Sequence, residues 1–176
     1  MNAQDLPENE FVTSIPVQVH IRPAGEHAAD WQEHDRGEGV FRLPPDVDVS
    51  IRVHNIGNAE LATLARDIGH LRQLTYLNLS ENRKIDSAGL KALRGLPQLV
   101  ELSLSSCDLS NDALEHLTPL TRLERLDISY CNRLGDIALK PLKNLPRLSF
   151  LNVQGCVKLT NAGLAKIARR GLEIRK

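Results

Sequence analysis

From residue 74 onward the apolar positions recur in register. Leu74, Leu77, Leu79, Asn82, Ile85, Leu90, Leu93 and Leu96 form one series. Leu99, Leu102, Leu104, Cys107, Leu109, Leu114, Leu117 and Leu120 form the next. Leu123, Leu126, Ile128, Cys131, Leu134, Leu139, Leu142 and Leu145 follow, then Leu148, Leu151, Val153, Cys156, Leu159, Leu164 and Ile167. The series start at 74, 99, 123 and 148, which are 25, 24 and 25 residues apart. Each unit carries two periods. The opening L-x-x-L-x-L ends on apolar residues two apart, which predicts a short strand. The later L-x-x-L-x-x-L has a spacing of three, which predicts one face of a short helix or 3₁₀ segment. Ser87, Asn111, Asp136 and Asn161 each stand three residues before that second run and are candidate N-caps. Pro97, Pro119 and Pro146 fall near the predicted helix ends and turn the chain toward the next strand.

A single strand and helix cannot bury their own apolar side, but stacked copies can. The pattern therefore predicts an α/β solenoid with a parallel sheet on the concave side and short helices on the convex side. These residues resemble the leucine-rich repeat family. The run Cys156-Val-Lys-Leu159-Thr-Asn-Ala-Gly-Leu164 is similar to its cysteine-containing subclass, known from the repeat part of F-box proteins. The resemblance covers 74–174, in full units 74–98, 99–122, 123–147 and 148–171. A degenerate unit at 47–73 precedes them, with Ile51, Val53, Ile56, Asn58, Leu61 and Leu64 at the right spacing. A half unit at 172–176 supplies a last strand through Leu172 and Ile174. An F-box is not predicted. Leu43-Pro-Pro-Asp-Val47 resembles the opening of one, but the period-2 run Val47–Val53 contradicts its helical continuation.

Cys107, Cys131 and Cys156 share the slot that Asn82 fills in the first full unit. The resemblance places this slot inside the turn after each strand, bonded to backbone. Parallel strands stack about 4.8 Å apart, so the sulfurs are expected in a buried ladder. A row does not suit a Cys₃ metal site; the odd count disfavours disulfides, and three thiols fit a reducing, cytoplasmic setting.

Upstream, Ile15, Val17, Val19 and Ile21 alternate, as do Val47, Val49, Ile51 and Val53, and Phe41 and Leu43 mark another short strand. The polar stretch Arg22–Gly39 reads as a loop with about one helical turn. A small β-rich cap over 11–46 is expected, because the first repeat of a stack exposes its apolar side. Residues 1–10 are expected to be loose.

Charge divides the chain. Residues 1–60 hold four basic and eleven acidic side chains, net −7; residues 61–176 hold eighteen and eleven, net +7. The overall zero argues against a dedicated nucleic-acid protein. No apolar run approaches the ~20 residues of a membrane span, and the acidic start is not a signal peptide. His27, Asp30 and His34 would share one face of a helix and, with Glu26, Glu33 and Asp35 nearby, form a weak metal candidate. A Ser103, Ser105, Ser106, Asp112 and His116 hydrolase reading fails on geometry, since strand and outer helix face apart. No cofactor, metal or catalytic centre is predicted.

The concave face remains. Strand side chains alternate, so the residues between the leucines point outward. One outward column holds Tyr76, Glu101, Arg125 and Phe150; the next holds Asn78, Ser103, Asp127 and Asn152. Glu81 and Tyr130 follow at the strand exits. Tyr, Phe and Arg anchor interfaces. The sequence therefore predicts a non-catalytic, monomeric, cytoplasmic module that binds a protein through Tyr76, Asn78, Glu81, Glu101, Ser103, Arg125, Asp127, Tyr130, Phe150 and Asn152. Two alternatives stay open. One is binding of an anionic partner, nucleic acid or membrane, by outer-face residues such as Lys91, Arg94, Lys140 and Lys143; the other is a metal-dependent activity in the N-terminal segment.

Overall fold

The computed structural model describes residues 6–176. Strands β1 (Glu10–Pro23), β2 (Gln32–Arg42) and β3 (Val47–Val53) are followed by β4 (Leu74–Asn78), β5 (Glu101–Ser103), β6 (Arg125–Asp127), β7 (Phe150–Asn152) and β8 (Glu173–Arg175). They form one sheet in the order β2-β1-β3-β4-β5-β6-β7-β8. β1 is antiparallel to both β2 and β3, while every neighbour from β3 to β8 is parallel. Helix α1 (Asn58–Ile68), 3₁₀ segments at Gly89–Gly95, Ala113–Leu117 and Asp136–Asn144, and helix α2 (Asn161–Ala165) return the chain between parallel strands. A spacing of three eclipses side chains on a 3₁₀ turn. Leu90 with Leu93 and Leu139 with Leu142 therefore point the same way and are buried. One apolar core runs without a break from Phe11 to Ile167.

Two local expectations are corrected. The stretch read as the loop Arg22–Gly39 contains most of β2. Its strand character is not visible as alternation because β2 is an edge strand, exposed over most of its length. Residues 1–5 lie outside the described residues, but Asn9 and Glu10, placed in a loose N-terminus, are held. Asn9 Nδ2 donates to the Leu43 carbonyl at 3.0 Å, and Glu10 opens β1.

The predicted N-caps do something else. The helical segments begin after Ala88, Asp112, Gly135 and Thr160, and of these only Thr160 makes a side-chain cap bond. Ser87 Oγ instead meets Ser110 Oγ at 2.7 Å, and Asn111 Oδ1 accepts the Gly135 N–H at 2.8 Å. Asp136 accepts the Thr160 N–H at 2.8 Å and its hydroxyl at 2.6 Å. Asn161 Oδ1 accepts from Lys176 Nζ at 2.7 Å. A short first turn competes with a neighbouring repeat, and the side chains staple one unit to the next. Gly163 permits this for Asp136, because a Cβ there would lie 2.1 Å from the Asp136 carboxylate.

The chain leaves its strands by one recurring device. Asn55, Glu81, Ser106, Tyr130 and Gly155 all have positive φ, between 57° and 73°. This left-handed step is costly for a non-glycine residue, and it turns the next side chain inward. Those next residues are Ile56, Asn82, Cys107, Cys131 and Cys156, all buried. Asn82 accepts the Ile56 N–H at 3.0 Å and donates to the Val53, Leu79 and Ser80 carbonyls at 3.0, 3.0 and 3.2 Å. Each cysteine continues the series by donating its thiol to the preceding repeat: Cys107 to Leu79 O and Cys131 to Leu104 O at 3.2 Å, Cys156 to Ile128 O at 3.0 Å. Burial pushes the thiols up, to about 11 for Cys107 and about 12 for Cys131, where the neighbouring sulfurs add to the effect.

Asn82→Ala should destabilise by roughly 2–4 kcal/mol, because it leaves buried backbone groups unpaired. Cys131→Ser should cost about 1–3 kcal/mol through less favourable burial of a hydroxyl. Denaturant titration with unchanged m-value checks both.

The thiols also set a pH dependence. Their folded pKa values lie above the ordinary 9.0, so the native state retains protons that the unfolded chain loses. Stability should be intact below about pH 9 and should fall as pH rises toward 11–12. Iodoacetamide at pH 8 should modify Cys107, Cys131 and Cys156 only as fast as the molecule opens; labelling of the native protein at the rate of a free thiol would contradict this.

Candidate functional site

Parallel pairing without register shift between β4 and β8 aligns equivalent side chains. Tyr76, Glu101, Arg125, Phe150 and Glu173 are consecutive partners across the sheet, and so are Asn78, Ser103, Asp127, Asn152 and Arg175. The first column is a chain of contacts. Arg125 Nε lies 3.7 Å from Glu101 Oε2, and its guanidinium carbon lies 4.2 Å from the Phe150 ring centroid. Tyr76 is half-buried; burial raises its phenol above the ordinary value, and the Glu101 and Asp127 charges raise it further.

The second column is largely committed to the backbone. Asn78, Asp127 and Asn152 each accept the N–H two residues on, from Ser80, Ser129 and Gln154, at 3.0, 2.8 and 3.1 Å. Such Asx turns lead the chain into the left-handed step. Asn152 Nδ2 also donates to Asp127 Oδ2 at 3.1 Å. Ser103 is buried, with its hydroxyl 2.7 Å from Ser80 Oγ. Glu81 and Tyr130 stand on the left-handed turns beyond the strands. Tyr130 is 53% exposed, yet its ring covers Gly155, where a Cβ would come within 2.5 Å of it. The structure thus groups Tyr76, Glu101, Arg125 and Phe150, with Ser103 and Asp127 beside them in the same depression, and sets Asn78, Glu81, Tyr130 and Asn152 at its margin.

Sequence reasoning missed the residues that wall this group. Arg22, at the end of β1, is 4% exposed. Its Nε lies 3.4 Å from Asp48 Oδ2 and its Nη2 lies 3.1 Å from Glu101 Oε1. The guanidinium also donates to the His27 carbonyl at 3.4 Å and meets His27 Nδ1 at 3.0 Å. Trp31 lies against it, with the guanidinium carbon 4.1 Å from the ring centroid, and Trp31 reaches Tyr76 at 6.0 Å between centroids. The turn between β1 and β2 therefore folds down onto the concave face and is tied there. Two signals were present: an arginine closing an apolar alternation, and the chain's single tryptophan in a polar stretch.

A groove of about 530 Å³ opens between that turn and the sheet, lined among others by Asp30, Trp31, Glu101, Glu124 and Arg125. A smaller depression of about 130 Å³ lies over Tyr76, Glu101, Arg125, Asp127 and Phe150.

His27, Asp30 and His34 are not on one helical face. His27 and Asp30 lie in the turn, and His34 lies on β2 with Nε2 2.9 Å from the Arg42 carbonyl. Among the described residues no group of three His, Cys, Asp or Glu side chains is placed to hold a metal ion. No helix among them is long and apolar enough to cross a membrane.

Comparison with known proteins agrees with this architecture. Leucine-rich repeat models match residues 55–109 and 120–143. A putative adenylate cyclase regulatory protein of Trypanosoma equiperdum is 34% identical over 117 residues, covering 66% of this chain and 17% of that protein. The alpha subunit of geranylgeranyl transferase type 2 from Bos taurus is 37% identical over 113 residues, covering 60% of this chain and 18% of that protein. The chain thus spans less than a fifth of these relatives. Among solved structures, the yeast Rad7–Elc1 complex contains a chain that superposes with a TM-score of 0.56 at 20% identity, over 70% of this chain and 31% of that one.

Arg22→Ala should destabilise by about 3–5 kcal/mol, because Asp48 and Glu101 would be left without their buried cation. Trp31 fluorescence should shift to the red in the same variant as the turn detaches. An unshifted spectrum in a folded variant would show that Arg22 does not hold the turn.

Proposed function

We propose that this chain, which belongs to the leucine-rich repeat family, is a non-catalytic module that binds a protein partner through its concave sheet. Leucine-rich repeats generally mediate contacts between proteins. The observation that carries the finer reading is the aligned column Tyr76, Glu101, Arg125 and Phe150. It places two aromatic rings and an arginine side by side on a surface that no other part of the described chain covers completely, beside two depressions. Large aromatic and arginine side chains carry a disproportionate share of interface energy. Their backbone ladder is already satisfied within the sheet, so what they have left to offer is contact rather than structure.

Absence of catalysis is part of the same reading. The column contains no nucleophile beside a base, and its polar neighbours are used by turns. The similarity to a putative cyclase regulator and to a transferase subunit extends over less than a fifth of each, which fits a portable repeat shared by proteins with different tasks. The cysteine slots support membership of the cysteine-containing subclass, and three buried thiols fit a reducing, cytoplasmic setting. The neutral overall charge argues against nucleic acid as the main partner. A monomer is the simplest state for a module whose binding face is its own sheet.

The test uses a partner captured from cell extract and then purified for titration. Phe150→Ala or Arg125→Ala should weaken binding by about 2 kcal/mol or more without loss of fold. Outer-face Lys91→Ala and Lys143→Ala should change it by less than about 0.5 kcal/mol. The reverse pattern, with a steep salt dependence, would replace the concave reading with binding of an anionic surface.

A further inference from the structure

The groove between the β1–β2 turn and the sheet is not neutral in what it offers. Its walls carry three carboxylates, Asp30, Glu101 and Glu124, and two arginines, Arg22 and Arg125. Both arginines are matched internally: Arg22 by Asp48 and Glu101, and Arg125 by the second oxygen of Glu101 and by the Phe150 ring. His27 turns Nδ1 to the Arg22 guanidinium, so that nitrogen presents a lone pair to a donor. Asp30 and Glu124, by contrast, have no side-chain hydrogen-bond or ion-pair partner among the described residues. With Asp48 behind Arg22 counted, the groove has two more carboxylates than cations.

We infer that this groove receives an arginine or lysine side chain of the bound partner, so that the segment recognised by the concave face is basic. The inference rests on the concave-face reading and specifies its ligand. A volume of about 530 Å³ accommodates a long side chain together with part of its backbone. Trp31 supplies the apolar wall along which the methylene stem lies, while the charged head sits between Asp30 and Glu124. The groove continues along the sheet. A neighbouring depression lined by Arg125, Ser149, Phe150, Leu172 and Glu173 shares two of its walls, so residues flanking the cation meet Phe150 and a further carboxylate. That continuity favours a protein segment over a small free cation, which would use the groove alone. Mutual charge then sets orientation and rate of association more than total affinity.

The probe is a phage-displayed library of random dodecapeptides selected on the immobilised 176-residue chain. Selected peptides should be enriched in Arg and Lys, and binding of a synthetic representative should weaken with added salt. Asp30→Asn combined with Glu124→Gln should lower its affinity about five- to tenfold, as expected for two partly exposed charge pairs. Neither carboxylate holds the fold, so the double variant should melt like the wild type. Asp35→Asn with Glu38→Gln, which removes two charges from exposed β2, should leave affinity unchanged and so exclude general attraction to the acidic N-terminal half. Selected peptides without a basic excess, or a representative indifferent to Asp30→Asn with Glu124→Gln but lost with Phe150→Ala, would overturn this inference while the concave reading stands. Indifference to Phe150→Ala and Arg125→Ala as well would overturn both. Failure to enrich any peptide would also count against the groove as a receptor for a basic segment.

Discussion

A parallel stack whose strands shorten to three residues from β5 onward depends on satisfying the backbone where each strand stops. Between β4 and β8 the ladder is short, and the chain must then cross the interior before its next helical segment. Carbonyls exposed by that crossing would each be unpaired in an apolar core, a cost of about 1–3 kcal/mol. The left-handed residue and the inward side chain after it solve this together. Asn82 reaches four backbone groups at the junction with the first, irregular unit. Cysteine, with one weak donor, suffices in the three regular junctions that follow. The richer side chain stands where the geometry changes, between a unit with a true α-helix and a unit with a 3₁₀ turn.

The register of the outer face follows from that arrangement. With each turn held to the one before it, successive strands cannot slip, and Tyr76, Glu101, Arg125 and Phe150 become neighbours although they are far apart in sequence. The same constraint makes the second column less available. Asn78, Asp127 and Asn152 hold the turns through their side-chain oxygens, so only their remaining polar atoms face outward.

The N-terminal hairpin does more than shield the first repeat. Its turn folds over the sheet and sends one almost fully buried arginine into the junction between Asp48 on β3 and Glu101 on β5. A cation removed from water requires good partners, and Arg22 has two carboxylates, a carbonyl, an imidazole nitrogen and an indole face. The concave surface is therefore a sheet with a wall, and the wall creates the groove in which Trp31 meets Tyr76.

The sequence by itself determined the repeat, its length, the strand positions and the inward slot. Leu77, Leu102, Leu126 and Leu151 recur because each must fill the same buried site, and burial of apolar area is readable one residue at a time. It determined the outward column for the same reason, since alternation along a strand is local. It disclosed only the Phe41 end of β2, because the residues before it are largely exposed and leave no alternation. Nor did it disclose the role of Ser87, Asn111 and Asp136, which carry the chemistry of helix caps yet bond across to the next repeat. The contacts of Arg22 with Glu101, 79 residues away, and of Trp31 with Tyr76 were decided by tertiary structure alone. Whether a polar or aromatic side chain is a surface residue or the tie between two elements depends on what arrives beside it, and no local pattern records that.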